Sequence, residues 1–334
     1  MNVLLTGGTG YIGSHTAIVL IEAGFNVVLL DNLSNSQRDV VDRLEKITSK
    51  KIVFVEGDVR DRSLVSSVLR THKMDAVIHF AGLKAVGESI SKPLRYFDIN
   101  MGGTISLLEA MQDNDVKTIV FSSSATVYGE PQYLPIDELH PTGAINTYGR
   151  TKLHIEEMLQ DLCSSDTSWR VICLRYFNPV GAHESGLIGE NPVGLPNNLM
   201  PYLLDVARGV LPQLLVFGDD YETVDGTGVR DYIHVMDLSH GHKAALEFCV
   251  RNSGFEVFNL GTGTGYSVLE VLTEFQNISG KKIPYQVTSR RQGDVAVSYS
   301  LSTKARALLG WEAKRSLAEM CVSSLIFAKK HVKK

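Results

Sequence analysis

The sequence has little of what would tie it to secretion, structural metal or a polyanion. Only four of its 334 residues are cysteine, and Cys163, Cys173, Cys249 and Cys321 lie far apart, with no CxxC and no His or Cys at metal-ligand spacing. A disulfide framework and a zinc site are not expected, and the thiols read as reduced core residues. Proline is rare, 10 residues against 29 glycines, which leaves no collagen-like or proline-rich segment. A basic excess is also missing. The 33 Lys and Arg face 37 Asp and Glu, giving a formal charge of -4 and a pI near 6.2, so the chain lacks the cationic surface a phosphate-tracking nucleic-acid binder requires. No run approaches the roughly 18 consecutive apolar residues of a membrane helix. Met1 leads straight into an apolar strand, without the cationic start and cleavage site of a signal peptide. Neither a membrane nor a nucleic acid is an expected partner, and the cytoplasm is the expected compartment.

What remains is ordinary globular material: 44% hydrophobic, 21% charged, mean hydropathy +0.01. At about 150 residues per domain the length suggests two domains. The N-terminal half alternates short β-branched apolar runs with longer helical patterns, which predicts βαβ units and a parallel sheet. The expected strands are Asn2 to Thr6, Asn26 to Asp31, Ile52 to Glu56, Ala76 to Phe80, Thr118 to Ser122 and Arg170 to Tyr176. Because these runs are apolar throughout, helices should cover both faces. From Asn178 onward Pro179, Gly181, Gly186, Gly189, Pro192, Gly194 and Pro196 punctuate the chain, and a second, loop-rich lobe is expected. Residues 1–178 therefore read as one domain and 179–334 as a smaller mixed α/β domain. Strand-like runs at Tyr232 to Leu238 and Phe255 to Leu260 suggest that the segment of about 232–262 returns to the first domain. No fixed-period repeat is present, and the basic stretch from Lys329 to Lys334 reads as a solvated helix end.

Gly7, Gly10 and Gly13 form GxxGxxG directly after the first strand, and Tyr11 to Ala23 reads as a helix that Gly24 ends. Such glycines allow a tight turn and let the backbone approach a pyrophosphate at a helix N-terminus, where free N–H groups and the dipole favour negative charge. Asp31 closes the second strand, where a carboxylate accepts from the ribose hydroxyls of a dinucleotide; a 2′-phosphate would meet like charge, so NAD is favoured over NADP. The fold class that results is α/β, a doubly wound parallel sheet of the Rossmann type. Asp58, after the third strand, is a second edge carboxylate that suits an adenine amino group or a helix cap.

Tyr148 and Lys152 make a YxxxK pair at the start of a helical segment, and a spacing of four puts both on one face. An ammonium about 4 Å away contributes roughly 4 kcal/mol at an effective dielectric of about 20. That would draw a phenol of ordinary pKa near 10 toward neutrality, with burial opposing part of the effect. Ser124 ends the fifth strand, at the carboxyl edge where ligands of open α/β sheets bind, and its hydroxyl suits relay of a substrate proton to Tyr148.

These residues resemble the extended short-chain dehydrogenase/reductase superfamily and, within it, the UDP-glucose 4-epimerase family. The likeness runs through TGGTGYIGSH (Thr6 to His15), HFAGLKAVGES (His79 to Ser89), FSSSATVYG (Phe121 to Gly129), RYFNPVGAH (Arg175 to His183), PNNLMPY (Pro196 to Tyr202) and DGTGVRDYIHVMDL (Asp225 to Leu238). It implies a tightly held NAD regenerated in each turnover, and a UDP-sugar substrate inverted at C4 through a transient 4-keto sugar, with Tyr148, Lys152 and Ser124 catalytic. The implied cofactor site adds Tyr11, Ile12, Asn32, Val59, Phe80, Ala81, Lys84 and Phe177 to Gly7, Gly10, Gly13, Asp31 and Asp58. The implied substrate contacts are Lys84, Ser124, Asn178, Asn198, Leu199, Phe217, Arg230, Arg291, Asp294 and Ser298. A homodimer is expected by analogy of fold.

Two departures stand out. Ile99 precedes Asn100 where the family commonly has a second asparagine near the cofactor. Ser298 stands where some members carry a bulky tyrosine, so room at the sugar C2 substituent, and activity on UDP-GlcNAc and UDP-GalNAc, is expected. Among rivals, a 4,6-dehydratase needs a carboxylate pair beside Ser124, where this chain has Ala125 and Thr126. A UDP-glucuronate 4-epimerase would use the same Tyr, Lys and Ser, and a non-catalytic NAD-binding regulator would not need them.

Overall fold

Val3 and Leu5 of the first strand join one hydrophobic core, and Leu4 between them joins another. Alternate side chains of a strand point to opposite faces, so both faces are covered. The same division separates Leu29 from Val28 and Leu30, and Ile172 and Leu174 from Val171 and Cys173. The computed structural model describes residues 1–331 other than 193, 195 and 292; residues 332–334 of the basic C-terminal stretch fall outside the described residues.

The strands are β1 (Asn2–Thr6), β2 (Asn26–Asp31), β3 (Val53–Glu56), β4 (Ala76–His79), β5 (Thr118–Ser122), β6 (Arg170–Tyr176), β7 (Asn178–Val180), β8 (Leu214–Phe217), β9 (Val229–His234), β10 (Gly254–Leu260), β11 (Gly265–Ser267), β12 (Tyr285–Thr288) and β13 (Val297–Ser298). Seven of them form one parallel sheet in the order β10-β6-β5-β4-β1-β2-β3. The order reverses direction between β1 and β4, and a crevice opens at such a switch point beyond the carboxyl ends of the strands. His79 stitches this point together: its ring nitrogens bond Thr6 Oγ1 at 2.6 Å and Thr104 Oγ1 at 2.9 Å. The sheet holds seven strands because β10, after a long excursion, pairs with β6 over seven residues.

A second lobe gathers β7, β11 and β13 around β9, with β8 and β12 as a separate parallel pair. Its core is built from Met200, Leu203, Val216, Tyr232, Phe275 and Cys321, among others.

Four of the expected strands have different bounds, β10 beginning one residue early at Gly254. The runs from Ile52 and to Phe80 are each one residue shorter, ordinary fraying of strand ends. The larger difference is at Tyr232 to Leu238, where β9 stops at His234 and a helix, Val235–Arg251, begins. His234 forces this change: its Nδ1 accepts from the amide of Met236 at 3.1 Å, capping the helix, and Asp237 lies in the first turn, where the dipole favours it. β9 itself belongs to the smaller sheet, and the helix it feeds packs through Leu238, Ala245 and Leu246 onto the core beneath β1 and β6.

The end of the chain is tied to that core as well. Trp311 is buried with Leu238 and Leu260, and its Nε1–H donates to the Asp237 carbonyl at 2.9 Å. Trp311→Ala should lower the unfolding free energy by about 3–5 kcal/mol, as for buried aromatic truncations generally. Urea unfolding measures it; a loss under about 1 kcal/mol would show that this segment does not bear on the main core.

Candidate active site

At the carboxyl end of β1 the chain turns on glycine. The Gly7 amide donates to the Leu30 carbonyl at 2.8 Å and the Gly10 amide to the Gly7 carbonyl at 3.1 Å. Gly7 has φ +69°, and a Cβ on it would stand 2.8 Å from the Ala81 nitrogen; one on Gly13 would stand 2.3 Å from the Gly7 oxygen. The helix that follows, Tyr11–Glu22, has no side-chain cap and no acid in its first turn, so its free N–H groups and positive dipole end face the crevice. A pyrophosphate fits this cradle on charge and on space.

Asp31 ties the cradle to the next loop. Its Oδ2 accepts from the Thr9 amide at 3.1 Å, and its Oδ1 from the Leu33 amide at 2.9 Å and Ser36 Oγ at 3.2 Å. One acceptor position on Oδ2 remains for a ribose hydroxyl. Asp58 is more committed than expected. Oδ1 accepts from the amide and Nε of Arg60, and Oδ2 from Arg60 Nη2 and Asn32 Nδ2, all within 3.0 Å, and these bonds hold its carboxyl well below the usual range. Val59 is buried behind it, and Ile12 and Phe80 pack against the core beneath the sheet. Phe177 is buried, with its amide on the Leu260 carbonyl at 3.2 Å.

Tyr148, Lys152 and Ser124 are brought together. The helix Thr147–Ser165 starts at Asn146, whose Oδ1 accepts from the Gly149 amide at 2.8 Å, while Ser89 Oγ accepts from the Tyr148 amide at 3.1 Å. Gly149 permits this start to press on the turn after β5: a Cβ there would lie 2.8 Å from the Thr126 oxygen. Ser124 Oγ accepts from both the amide and the Oγ1 of Thr126, at 3.2 and 3.0 Å. With both acceptor positions filled, its own proton is left for a further acceptor, and the Ser124 hydroxyl is near enough to the Tyr148 phenol to draw the phenol's pKa down.

The expected lysine effect on the phenol is corrected by the geometry. Lys152 Nζ lies 5.9 Å from the Tyr148 ring centroid and 4.7 Å from that of Phe121, and donates to the Ser122 carbonyl at 2.7 Å. The i,i+4 spacing aligns the two stems, but the longer one carries its charge past the ring to the sheet. Burial then dominates, and the phenol is pushed well above its ordinary pKa, with the nearby Tyr176 adding and the Ser124 bond opposing. Lys152 is itself lowered to about 8 by burial, with Glu156 opposing.

On the other side of the crevice, Glu190 Oε1 accepts from Asn198 Nδ2 at 2.6 Å and from Lys84 Nζ, which reaches over from the loop after β4, at 2.8 Å. Arg291 makes a two-pronged pair with Asp294, both bonds 3.0 Å, and its guanidinium lies 5.5 Å from the Phe217 ring centroid. Arg230 Nη1 donates to the Val229 carbonyl at 2.8 Å, and Ser298 is its register partner on β13. The ring of Tyr299, the residue that follows, lies against Gly265. Asn178 is exposed at the start of β7, and Leu199 opens the helix Leu199–Ala207. Tyr11, expected at the cofactor, donates its hydroxyl to the Gly181 carbonyl at 2.6 Å.

Several site residues have no sequence motif of their own. Thr126 orients Ser124. Asn100, buried in a π-helical turn (Phe97–Gly102), joins the loop after β4 to the catalytic helix: it exchanges two bonds with the Leu83 backbone and donates to Thr151 Oγ1 at 3.0 Å. Thr151 in turn donates to the Tyr148 carbonyl at 2.7 Å. Ile99, half-buried beside it, adds only apolar surface. The DINMGG pattern, polar within an otherwise helical stretch, was the available signal. Among the described residues no cluster of His, Cys, Asp and Glu suits a metal, and no helix is long and apolar enough to cross a membrane.

Comparison with known proteins agrees with this geometry. A family model described as GDP-mannose 4,6 dehydratase matches residues 4–323. The UDP-glucose 4-epimerase of Bacillus subtilis is 56% identical over 324 residues, covering 97% of this chain and 96% of that protein. The Homo sapiens UDP-glucose 4-epimerase is 54% identical over 326 residues, covering 96% and 94%. The crystal structure of the Bifidobacterium longum UDP-glucose 4-epimerase with NAD+ and UDP superposes with a TM-score of 0.97 at 50% identity, covering 99% of this chain and 98% of that one. With the glycine cradle, the Tyr148–Ser124 pair and full-length similarity all present, the chain belongs to the UDP-glucose 4-epimerase family.

Proposed function

We propose that the chain interconverts UDP-glucose and UDP-galactose by inverting C4 of the sugar, with NAD as a bound cofactor. The observation that carries this reading is the buried Tyr148 phenol beside a Ser124 hydroxyl whose acceptor positions Thr126 fills, on the helix that Lys152 Nζ ties to the Ser122 carbonyl. Bound NAD supplies the hydride acceptor and donor at C4, together with positive charge, and Gly7, Gly10, Gly13, Asp31 and Lys152 are the residues that would hold it. Tyr148 takes the proton of the 4-hydroxyl as the sugar is oxidised to the 4-keto form and returns it when the opposite face is reduced. Ser124 donates to the oxygen on which charge changes. Lys152 holds positive charge beneath the phenol, and its own position is fixed by the Ser122 carbonyl. Asn178, Asn198, Leu199, Phe217, Arg230, Arg291 and Asp294 grip the nucleotide; the Arg–carboxylate pair opens to give the guanidinium to phosphate, which accepts in the same forked geometry.

Elimination of water, as in the dehydratase that names the matching family model, would need carboxylates beside Ser124, and Ala125 and Thr126 occupy those places. Residues 1–178 serve the cofactor and 179–334 the nucleotide sugar, with the segment of about 232–262 contributing β10 to the first sheet and, like Ala305 and Trp311, packing into the first core. A homodimer in the cytoplasm belongs to the same reading, and exposed Ile90, Leu94 and Ile105 offer it an apolar face.

Purified protein given UDP-glucose without added NAD should form UDP-galactose. Turnover of UDP-glucuronate alone, or none at all from protein that holds NAD, would overturn the reading. Tyr148→Phe should reduce kcat by about 10² to 10⁴, the span of general acid–base effects, with UDP affinity unchanged.

Half-buried Ser298 leaves space beside Arg230, which supports action on UDP-GlcNAc and UDP-GalNAc as well. Ser298→Tyr should suppress only the acetylated pair; equal activity of wild type and variant on UDP-GlcNAc would sink that specificity argument.

The lysine can be tested without turnover. Its proton is held with pKa about 8 in the folded chain against 10.5 ordinarily. Between these values the unfolded chain binds more protons, so folding gains stability as pH rises, and that gain is lost as pH falls through about 8. In cofactor-stripped protein, the wild-type minus Lys152→Met difference in unfolding free energy should climb across this window and be flat below it. A flat difference throughout would mean that the ammonium is not buried.

A further inference from the structure

Glu190 is the one buried acid of the crevice that the mechanism leaves without a task. Its side chain is only 8% exposed. One oxygen, Oε1, accepts from Lys84 Nζ at 2.8 Å and Asn198 Nδ2 at 2.6 Å, whereas Oε2 is buried with no hydrogen-bond partner among the described residues. Glu190 lines a cavity of about 10 Å³ together with Tyr11, Gly181, Met200, Leu204 and Phe327. Leaving half of a buried carboxylate unsatisfied is expensive, so stability alone does not account for this residue.

Its effect is legible at Asn198. This residue is the N-cap of the Leu199–Ala207 helix, with extended backbone at φ -93° and ψ 149°, yet its side chain makes no capping bond. Asparagine is among the strongest N-cap formers; here Glu190 draws the amide group away. Pro201 contributes no N–H, so the first-turn amides left free are those of Leu199 and Met200, and free amides at a helix N-terminus attract phosphate. Lys84, on the cofactor side, is held at the same oxygen, and its ammonium retains two further donors.

We propose that Glu190 is a positioning residue for the substrate diphosphate: by holding Asn198 off its own helix and anchoring Lys84 across the crevice, it keeps two lobes' donors open toward one anion. The proposal rests on the reading of the chain as a UDP-sugar enzyme. Its own negative charge is balanced by Lys84 at contact distance, so the gain in arrangement outweighs repulsion of the ligand.

UDP titrated calorimetrically into NAD-containing wild type, Glu190→Ala and Glu190→Gln tests this. Glu190→Ala should weaken UDP binding at least tenfold and raise KM for UDP-glucose more than it lowers kcat, because Asn198 becomes free to cap its helix. Glu190→Gln, which keeps an acceptor of the same shape, should fall between the two and guards against misfolding of the alanine variant. In an Asn198→Ala background the loss caused by Glu190→Ala should shrink, a coupling that a general structural defect would not produce. Unchanged or tighter UDP binding in Glu190→Ala, or a full loss that persists in the Asn198→Ala background, overturns the assignment. If wild type binds no UDP, the functional reading falls and this inference with it; if wild type binds and the variants match it, only the inference falls.

Discussion

The hydrogen bond from Lys152 Nζ to the Ser122 carbonyl fixes the register of everything chemical in this protein. It joins the helix Thr147–Ser165 to the last residue of β5, two residues before Ser124. An ammonium in the interior is costly unless it is paired. Here the carbonyl, the face of Phe121 at 4.7 Å and Glu156 one turn along the helix share that role. Glu156 then needs its own partner and has one in Arg175 of β6, bonded at 2.5 and 3.1 Å, with Ser123 donating to it as well. Arg175 in turn lies 4.8 Å from the Tyr128 ring centroid. One buried cation thus commits a chain of polar residues across two strands and a helix, and such a network holds a single geometry because each member left alone would be unsatisfied.

That network sets position rather than basicity. Burial raises the pKa of the phenol, the neighbouring Tyr176 adds to that and the Ser124 hydroxyl opposes it, while the ammonium stands 5.9 Å from the ring centroid. The phenol is therefore neutral at neutral pH in the protein by itself, and positive charge brought to the crevice would act against the effect of burial. A resident phenolate would also be a resident anion facing a diphosphate substrate. Keeping the oxygen neutral until the site is filled removes that conflict.

How far the sequence foretold this depends on the range of the interactions. The glycine turn, the strand-end serine and the YxxxK spacing are local patterns fixed by backbone geometry, and they stand where a period of two or 3.6 residues puts them. The direction of the lysine stem is not local, since the carbonyl that captures it comes from a strand thirty residues away. The helix start at Val235 was hidden because Val-Met-Asp-Leu continues an apolar strand; only the His234 ring folding back on the Met236 amide decides it. Asp58 looked free because sequence does not show that Arg60, two residues on, wraps it. The bonds of Asn100 to Leu83 and Thr151, and the role of Glu190, were illegible for the same reason: each residue acts by joining segments far apart in the chain.

The distribution of polar groups across the crevice bears on how one site reduces both faces of a sugar. Tyr148, Ser124 and Lys152 stand on the first lobe, while Arg230, Arg291 and Asp294 stand on the second. A UDP-sugar anchored at its nucleotide end by the second lobe would reach the first lobe only with its hexose. Few side chains of the first lobe remain free to hold that hexose, because Ser122, Ser123, Thr126 and Thr151 are spent on their own neighbours. Strong fixation at the nucleotide and sparse fixation at the ring leave rotation about the glycosyl phosphate bonds as the soft coordinate. A keto sugar is planar at C4, so turning it by that coordinate exposes the opposite face to the same phenol and the same serine without any rearrangement of the protein.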